Sequence, residues 1–197
     1  MEWLLDIDYS LLIFLNGLHT AFLDFIMIVF TSKYPWIPLY IAIAFYIFHH
    51  FGYEQKNYRY AFLLFTSAII IFAITDIGST EIKHHFMRLR PGHDPRLDGI
   101  VRLLDGKGGM YGFISSHASN VFGLASFTSW VFKKRWYSIT IFAWAFLVSY
   151  SRIYVGRHFP SDVLCGAIFG FLSAYLIYSI IRIPIIQDFF QNKKVKP

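Results

Sequence analysis

Charge is what this sequence has least of. Asp, Glu, Lys and Arg make up 15% of its 197 residues, against about 25% in soluble domains, so there is too little charge to cover a water-facing surface. Cysteine is nearly absent: Cys165 lies inside an apolar block without an intramolecular partner, which excludes a disulfide framework or a cysteine zinc site and leaves a small buried hydrophobe. A cleavable signal peptide is not expected, because Asp6 and Asp8 interrupt any positive leader and no small-residue cleavage site follows. Internal repeats and low-complexity tracts are missing as well. The net charge of +6 does not point to nucleic acid, since such a partner needs a solvated basic face that this composition lacks. It fits cations flanking membrane spans, or a site for an anionic substrate.

Apolar residues are what is present: 56% of the chain is hydrophobic, 20% aromatic, and the mean hydropathy is +0.48. They fall in long blocks. A transmembrane helix needs roughly 20 mostly apolar residues, and Tyr34 to Tyr53, Tyr60 to Thr75, Ser115 to Phe132, Trp136 to Ser151 and Val163 to Ile181 contain no Asp, Glu, Lys or Arg. A shorter stretch, Ala21 to Thr31, carries Asp24. Leu4 to Leu18 mixes Asp6, Asp8 and Asn16 with Leu and Phe, the pattern of an interfacial amphipathic helix. The expectation is an all-α polytopic membrane helix bundle: a single domain over residues 1–197, about six transmembrane helices and an N-terminal interfacial helix. Gly166 and Gly170 form a G-x-x-x-G spacing that lets helices approach closely, read as packing within the bundle.

One connection is long. Residues 79–115 hold Arg90-Pro91-Gly92 and Gly106-Lys107-Gly108-Gly109, and so long a loop in a compact chain is usually functional or disordered. Six spans would put it on the same face as the Arg152 to Ser161 connection. The other face would receive Lys56, Arg59, Lys133, Lys134, Arg135, Arg182, Lys193, Lys194 and Lys196, with Trp130 and Trp136 bracketing the basic turn. Lys and Arg number nine on each face. The positive-inside rule therefore makes that other face, and both termini, cytoplasmic only once Lys83, Arg90 and Arg152 are set aside as site residues.

Three polar clusters end apolar spans on the loop's face. They are Lys83 with Arg90-Pro91, then Ser115-Ser116-His117, then Ser151-Arg152 with His158 and Asp162. Alone, each has a plain explanation: membrane-edge charges that snorkel, a helix cap, a local capping pair. Together they supply fixed positive charge suited to a dianionic phosphoryl group, and helix N-terminal amides that attract anions. They also supply two imidazoles and a carboxylate. If a helix starts near Pro160, Asp162 can reach back to His158, fixing its tautomer and leaving the other ring nitrogen nucleophilic. His117 is then free to protonate a leaving alkoxide and to activate water. Phosphoryl transfer mainly requires such positioning and charge stabilisation. His84, His85 and His93 lack a third ligand at useful spacing, and nearby cations would repel a metal.

Lys83-x6-Arg90-Pro91, Ser115-Ser116-His117 and Ser151-Arg152-x5-His158-x3-Asp162 resemble the three-part signature of the type 2 phosphatidic acid phosphatase superfamily, bacterial membrane branch. The resemblance implies a six-helix membrane enzyme without metal or other cofactor, working through a phosphohistidine. It further implies His158 as nucleophile, Asp162 as its orienter, His117 as general acid, and Lys83, Arg90, Ser115, Ser116 and Arg152 as phosphate ligands. The middle motif departs from the family's Pro-Ser-Gly-His by carrying Ile114 and Ser116.

The implied partners are the lipid bilayer and a lipid substrate: polyprenyl diphosphate, phosphatidylglycerophosphate, phosphatidic acid or a lipid A phosphate. The implied site faces the extracytoplasmic side of a bacterial-type inner membrane. A phosphotransferase using the same intermediate, or a non-catalytic lipid-binding or transport protein, are the alternatives. Arg96, Arg102 and Lys107 either dock a second phosphate or hold the loop through Asp94, Asp98 and Asp105. The sequence leaves the headgroup and the oligomeric state open.

Overall fold

The structure is a computed structural model that describes residues 2–183 together with 186, 189 and 190; Lys193, Lys194 and Lys196 lie outside the described residues. Among the described residues seven named α-helices follow in order: α1 Glu2–Gly17, α2 Ala21–Thr31, α3 Ile37–Ile47, α4 Tyr58–Phe86, α5 Ser116–Phe132, α6 Arg135–Tyr154 and α7 Pro160–Ile181. Apart from one bridge pairing Leu89 with Tyr111, the described residues contain no strand.

Local chemistry sets the helix ends. Thr20 and Asn57 cap α2 and α4 by accepting from the amides of Leu23 and Tyr60. Left-handed Met87 and Lys133 close α4 and α5, and Pro160 opens α7 where no amide is needed. Helix α3 passes into a wide turn over Phe48–Glu54, so the run from Tyr34 to Tyr53 is helical with a change of winding. The bent pair α1–α2 turns through 116°.

By length and composition, α4 and α7 are apolar enough to cross a membrane, with a third crossing if the bent pair counts as one span. This is a membrane protein, and its outer surface fits that setting: Phe45, Phe62, Phe72, Phe146, Leu164 and Leu172 all stand exposed. Helix α5 is the centre, packed against α4, α6 and α7, with Ala118, Ala125, Ser126 and Phe127 fully buried. A side chain at Gly166 or Gly170 would strike the carbonyl oxygens of Ser115 and Ser119. The G-x-x-x-G spacing thus seats α7 against α5 within the bundle.

The long connection begins later than expected. Helix α4 continues through the charged residues Glu81 and Lys83 to Phe86, because Thr, Glu, Ile, Lys and His are all tolerated in a helix and only Met87 turns left-handed. At 29 residues α4 is about 43 Å long, more than the roughly 30 Å hydrocarbon layer. Its last turns therefore project toward the loop. Residues 87–115 fold back over the adjoining helix ends, held by Leu104 N to Val155 O at 3.3 Å and Ser115 N to Asp162 O at 2.9 Å.

Candidate active site

The α2–α3 connection and the start of α3, the second half of α4, the start of α5, the last turns of α6, Arg90 of the long loop and His158 of the bend before α7 line a cavity of about 360 Å³. Arg90, Ser116, His117, Arg152 and His158 line it, so residues far apart in sequence meet in one space. Each has a local reason for its place. Helix α4 ends just before Arg90, whose Nε donates to the Tyr111 carbonyl at 3.0 Å. Ser116 and His117 form the first turn of α5. Arg152 sits in the last turn of α6; its Nη1 donates to Thr31 Oγ1, and its Nη1 lies 4.0 Å from Asp105.

Lys83 and Ser115 sit differently. Lys83 stands behind Ser116, donating to its Oγ at 2.5 Å and to the Ser79 carbonyl at 3.3 Å. The Ser116 hydroxyl is thereby tied into the cationic wall, and it also bonds Ser79 Oγ at 2.7 Å. Ser115 is fully buried, and its Oγ accepts from Ala118 N of its own helix at 3.4 Å. Its backbone amide is engaged by the Asp162 carbonyl. Ser115 therefore caps its helix and is not among the residues lining the cavity.

His158 and Asp162 are both buried, with Nδ1 3.4 Å from Oδ2. That exceeds the 2.7–3.2 Å range of an N–H···O hydrogen bond, and Nδ1 has no hydrogen-bond partner among the described residues. The carboxylate is bonded elsewhere: Oδ2 accepts from Phe159 N at 3.0 Å and Oδ1 from Arg88 Nη1 at 2.9 Å. Catalytic hydrogen bonds are commonly long before substrate binds. Burial first, then the charges of Arg90, Arg152 and Lys83, hold the His158 imidazole well below its ordinary pKa, while a backbone bond with Gly112 opposes them. Burial and these charges all favour the uncharged ring over the imidazolium.

Sequence reasoning missed several residues. Arg88 hides among the six unspecified positions of the first motif. Lys33, Trp36 and Tyr40, from the α2–α3 connection and α3, also line the cavity; short-range spacing carries no sign of them. Asp76 is in the cavity wall as well and accepts from Asn120 at 3.3 Å. Arg102 grips Asp24 of α2 with both arms at 2.7 and 2.5 Å. Arg96 pairs with Asp94, and Arg157 with Asp105. Lys107 is exposed. Among the described residues, no group of three or more His, Cys, Asp or Glu is placed to hold a metal ion.

A family model described as the PAP2 superfamily matches residues 59–184. The chain belongs to the PAP2 superfamily. A lipid A 4'-phosphatase of Bacteroides thetaiotaomicron is 39% identical over 188 residues, covering 91% of this chain and 79% of that protein. Among solved structures, Aquifex aeolicus LpxE superposes with a TM-score of 0.68 at 25% identity, covering 87% of this chain and 94% of that one. A PAP2 type phosphatidylglycerolphosphate phosphatase from Bacillus subtilis gives 0.71 over 100% of this chain and 90% of its own, and its 19% identity speaks for the fold. This PAP2 protein is a membrane phosphatase.

Proposed function

We propose that this enzyme hydrolyses a lipid phosphate, of the lipid A 4'-phosphate class, through a phosphohistidine on His158 and without a metal. The observation that carries this reading is the single cavity shared by Arg90, Ser116, His117, Arg152 and His158. His158 Nε2 attacks phosphorus, and the bond from phosphorus to the lipid oxygen breaks. His117 gives its proton to the departing alkoxide and then takes one from the water that attacks the phosphohistidine. Inorganic phosphate leaves, and both imidazoles return to their starting states. Arg90 and Arg152 neutralise the phosphoryl oxygens as charge develops. Lys83 acts with and through Ser116, and Asp162 orients His158.

The lipid arrives from the side. The catalytic cavity and an apolar groove of about 330 Å³ share Tyr40, Phe72 and Asn120, which supports an acyl chain lying between α3 and α4 while its phosphate meets the arginines. The preference for lipid A rests on the name of the 39% identical relative. We further place the catalytic end on the extracytoplasmic side of a bacterial inner membrane and the end of α7 on the cytoplasmic side. Helices α1 and α2 both bond to the catalytic end, so they lie in the extracytoplasmic interface. Helices α3 to α7 make the crossings, one fewer than composition suggests, with the N-terminal helix outside the cytoplasm. Lys56, Arg59 and the Lys133-Lys134-Arg135 turn at the opposite end support that orientation.

The test is a panel assayed in detergent with chelator present: lipid A bearing phosphate at the 4' position alone or the 1 position alone, phosphatidic acid, phosphatidylglycerophosphate and polyprenyl diphosphate. Preferential phosphate release from the 4' species is expected. Preference for any other member overturns the substrate assignment, and loss of all activity with chelator overturns the metal-free mechanism. Transfer of phosphate to an added lipid or sugar alcohol in place of water would reassign the enzyme as a transferase.

A further inference from the structure

The Asp162 carboxylate is fully buried, and a buried charge persists only when it is paired and hydrogen-bonded. Arg88 supplies that pairing through Nη1 at 2.9 Å. Arg88 is fixed in its turn: Nη1 donates to Ser161 Oγ at 2.6 Å, Nη2 donates to Asp8 Oδ2 at 2.6 Å, and the guanidinium lies 4.1 Å from the centroid of the Phe159 ring. Asp8, on α1 and itself buried, also accepts from Ser161 N at 2.9 Å and Ser161 Oγ at 2.5 Å. The N-terminal helix, the residue two places after α4 and the first turn of α7 thus form one network that ends beside His158.

Charge explains why two acids are needed. An Arg88–Asp162 pair alone is neutral and has little to offer an imidazole that becomes positive as it takes the phosphoryl group. A second carboxylate on Arg88 leaves the trio with one net negative charge. We propose that Asp8 and Arg88 are positioning residues of the catalytic pair: Arg88 fixes the Asp162 carboxylate, and Asp8 balances Arg88 so that Asp162 keeps its charge for His158. This inference rests on the reading of His158 as nucleophile.

The test uses the full chain in detergent, comparing kcat, KM and the acid limb of kcat/KM for Asp8→Asn, Arg88→Gln, Arg88→Lys and the double variant Asp8→Asn/Arg88→Gln. The other groups facing His158 stay the same throughout: Arg90 from the loop, Lys83 from α4, His117 from α5, Arg152 from α6 and Asp162 from α7. Each single variant is expected to lose about tenfold to a hundredfold in kcat, as misplaced catalytic groups do, with KM little changed. Removing the Asp8 charge makes His158 harder to protonate and moves the acid limb to lower pH. Arg88→Gln moves it to higher pH, Arg88→Lys leaves it in place, and the double variant returns it toward the wild-type position.

A network that merely anchors α1 would lower thermal stability without opposite shifts in the limb. Shifts of one sign, unmoved limbs, or a change confined to KM would overturn the proposal. If Asp8→Asn does not fold, the contrast between Arg88→Gln and Arg88→Lys decides. His158→Ala runs in parallel: retained turnover there removes the functional reading itself, whereas a dead His158→Ala beside unmoved limbs removes this inference alone.

Discussion

Gly170→Ala adds one methyl group well away from any polar site residue, and the structure makes its cost large. An ideal Cβ at position 170 falls 2.1 Å from the Ser119 carbonyl oxygen and 2.9 Å from the Gly123 amide nitrogen. Carbon and oxygen rest at about 3.3 Å or more, so α5 and α7 must part by roughly 1 Å. Both contacts are backbone and have no rotamer into which to escape. Overpacking of this kind costs about 1–3 kcal/mol, against a gain of about 1 kcal/mol for alanine over glycine in a helix. The net expectation is a loss of up to about 2 kcal/mol, toward the upper end because both contacts are with backbone.

The same displacement opens the site. Helix α5 carries Ser116 and His117 at its start, and α7 carries Asp162. A shift near 1 Å between catalytic groups lowers turnover by up to about a hundredfold. Thermal unfolding in detergent and kcat on a lipid phosphate are the measurements. Gly17→Ala is the control, because nothing lies within 4 Å of its added methyl; its change is expected within about 0.5 kcal/mol. Wild-type stability and turnover in Gly170→Ala would refute the close packing of α5 on α7.

Other expectations follow from the same geometry. His117→Ala loses at least about a hundredfold in kcat on a lipid phosphate, as for a missing general acid, and much less on an aryl phosphate whose leaving group needs no proton. Equal losses on the two substrates would remove His117 from that role. His158, followed by NMR in ¹³C-histidine-labelled protein without substrate, titrates below the ordinary imidazole value of about 6.5. The sign follows from burial and three nearby cations, all of which disfavour the protonated ring. Arg90→Gln therefore raises that titration, and an unchanged or lowered value would contradict the assignment. Arg102→Gln and Asp24→Asn each speed proteolysis within residues 95–110, because their ion pair ties the loop to α2. A rise in KM confined to doubly phosphorylated lipids would instead make Arg102 a second phosphate ligand.

The helices were legible because charge-free runs of membrane length admit few alternatives. The end of α4 was not: Glu81 and Lys83 read as loop, yet they continue a helix that leaves the apolar layer. Within the site, side chains at helix ends were visible as motifs, since the first turn of α5 and the bend before α7 fix Ser116, His117, His158 and Asp162 by local geometry. The motif does not distinguish Ser115 from Ser116, whose adjacent hydroxyls face different ways, the first into the helix cap and the second toward Lys83. Arg88 and Asp8 were illegible for another reason. Their hydrogen-bond partners lie 73 to 153 residues away, and no short-range pattern records such contacts. Arg102 with Asp24, 78 residues apart, is the same case.

The phosphoryl group should pass through His158. Rapid acid-free quenching of the enzyme with ³²P-labelled lipid phosphate, followed by peptide mapping, reads that step directly. The expected result is a label stable to base and labile to acid on the peptide containing residue 158, present in His117→Ala and missing in His158→Ala. Label on another residue, or single-turnover hydrolysis with no labelled enzyme at any time, would contradict it.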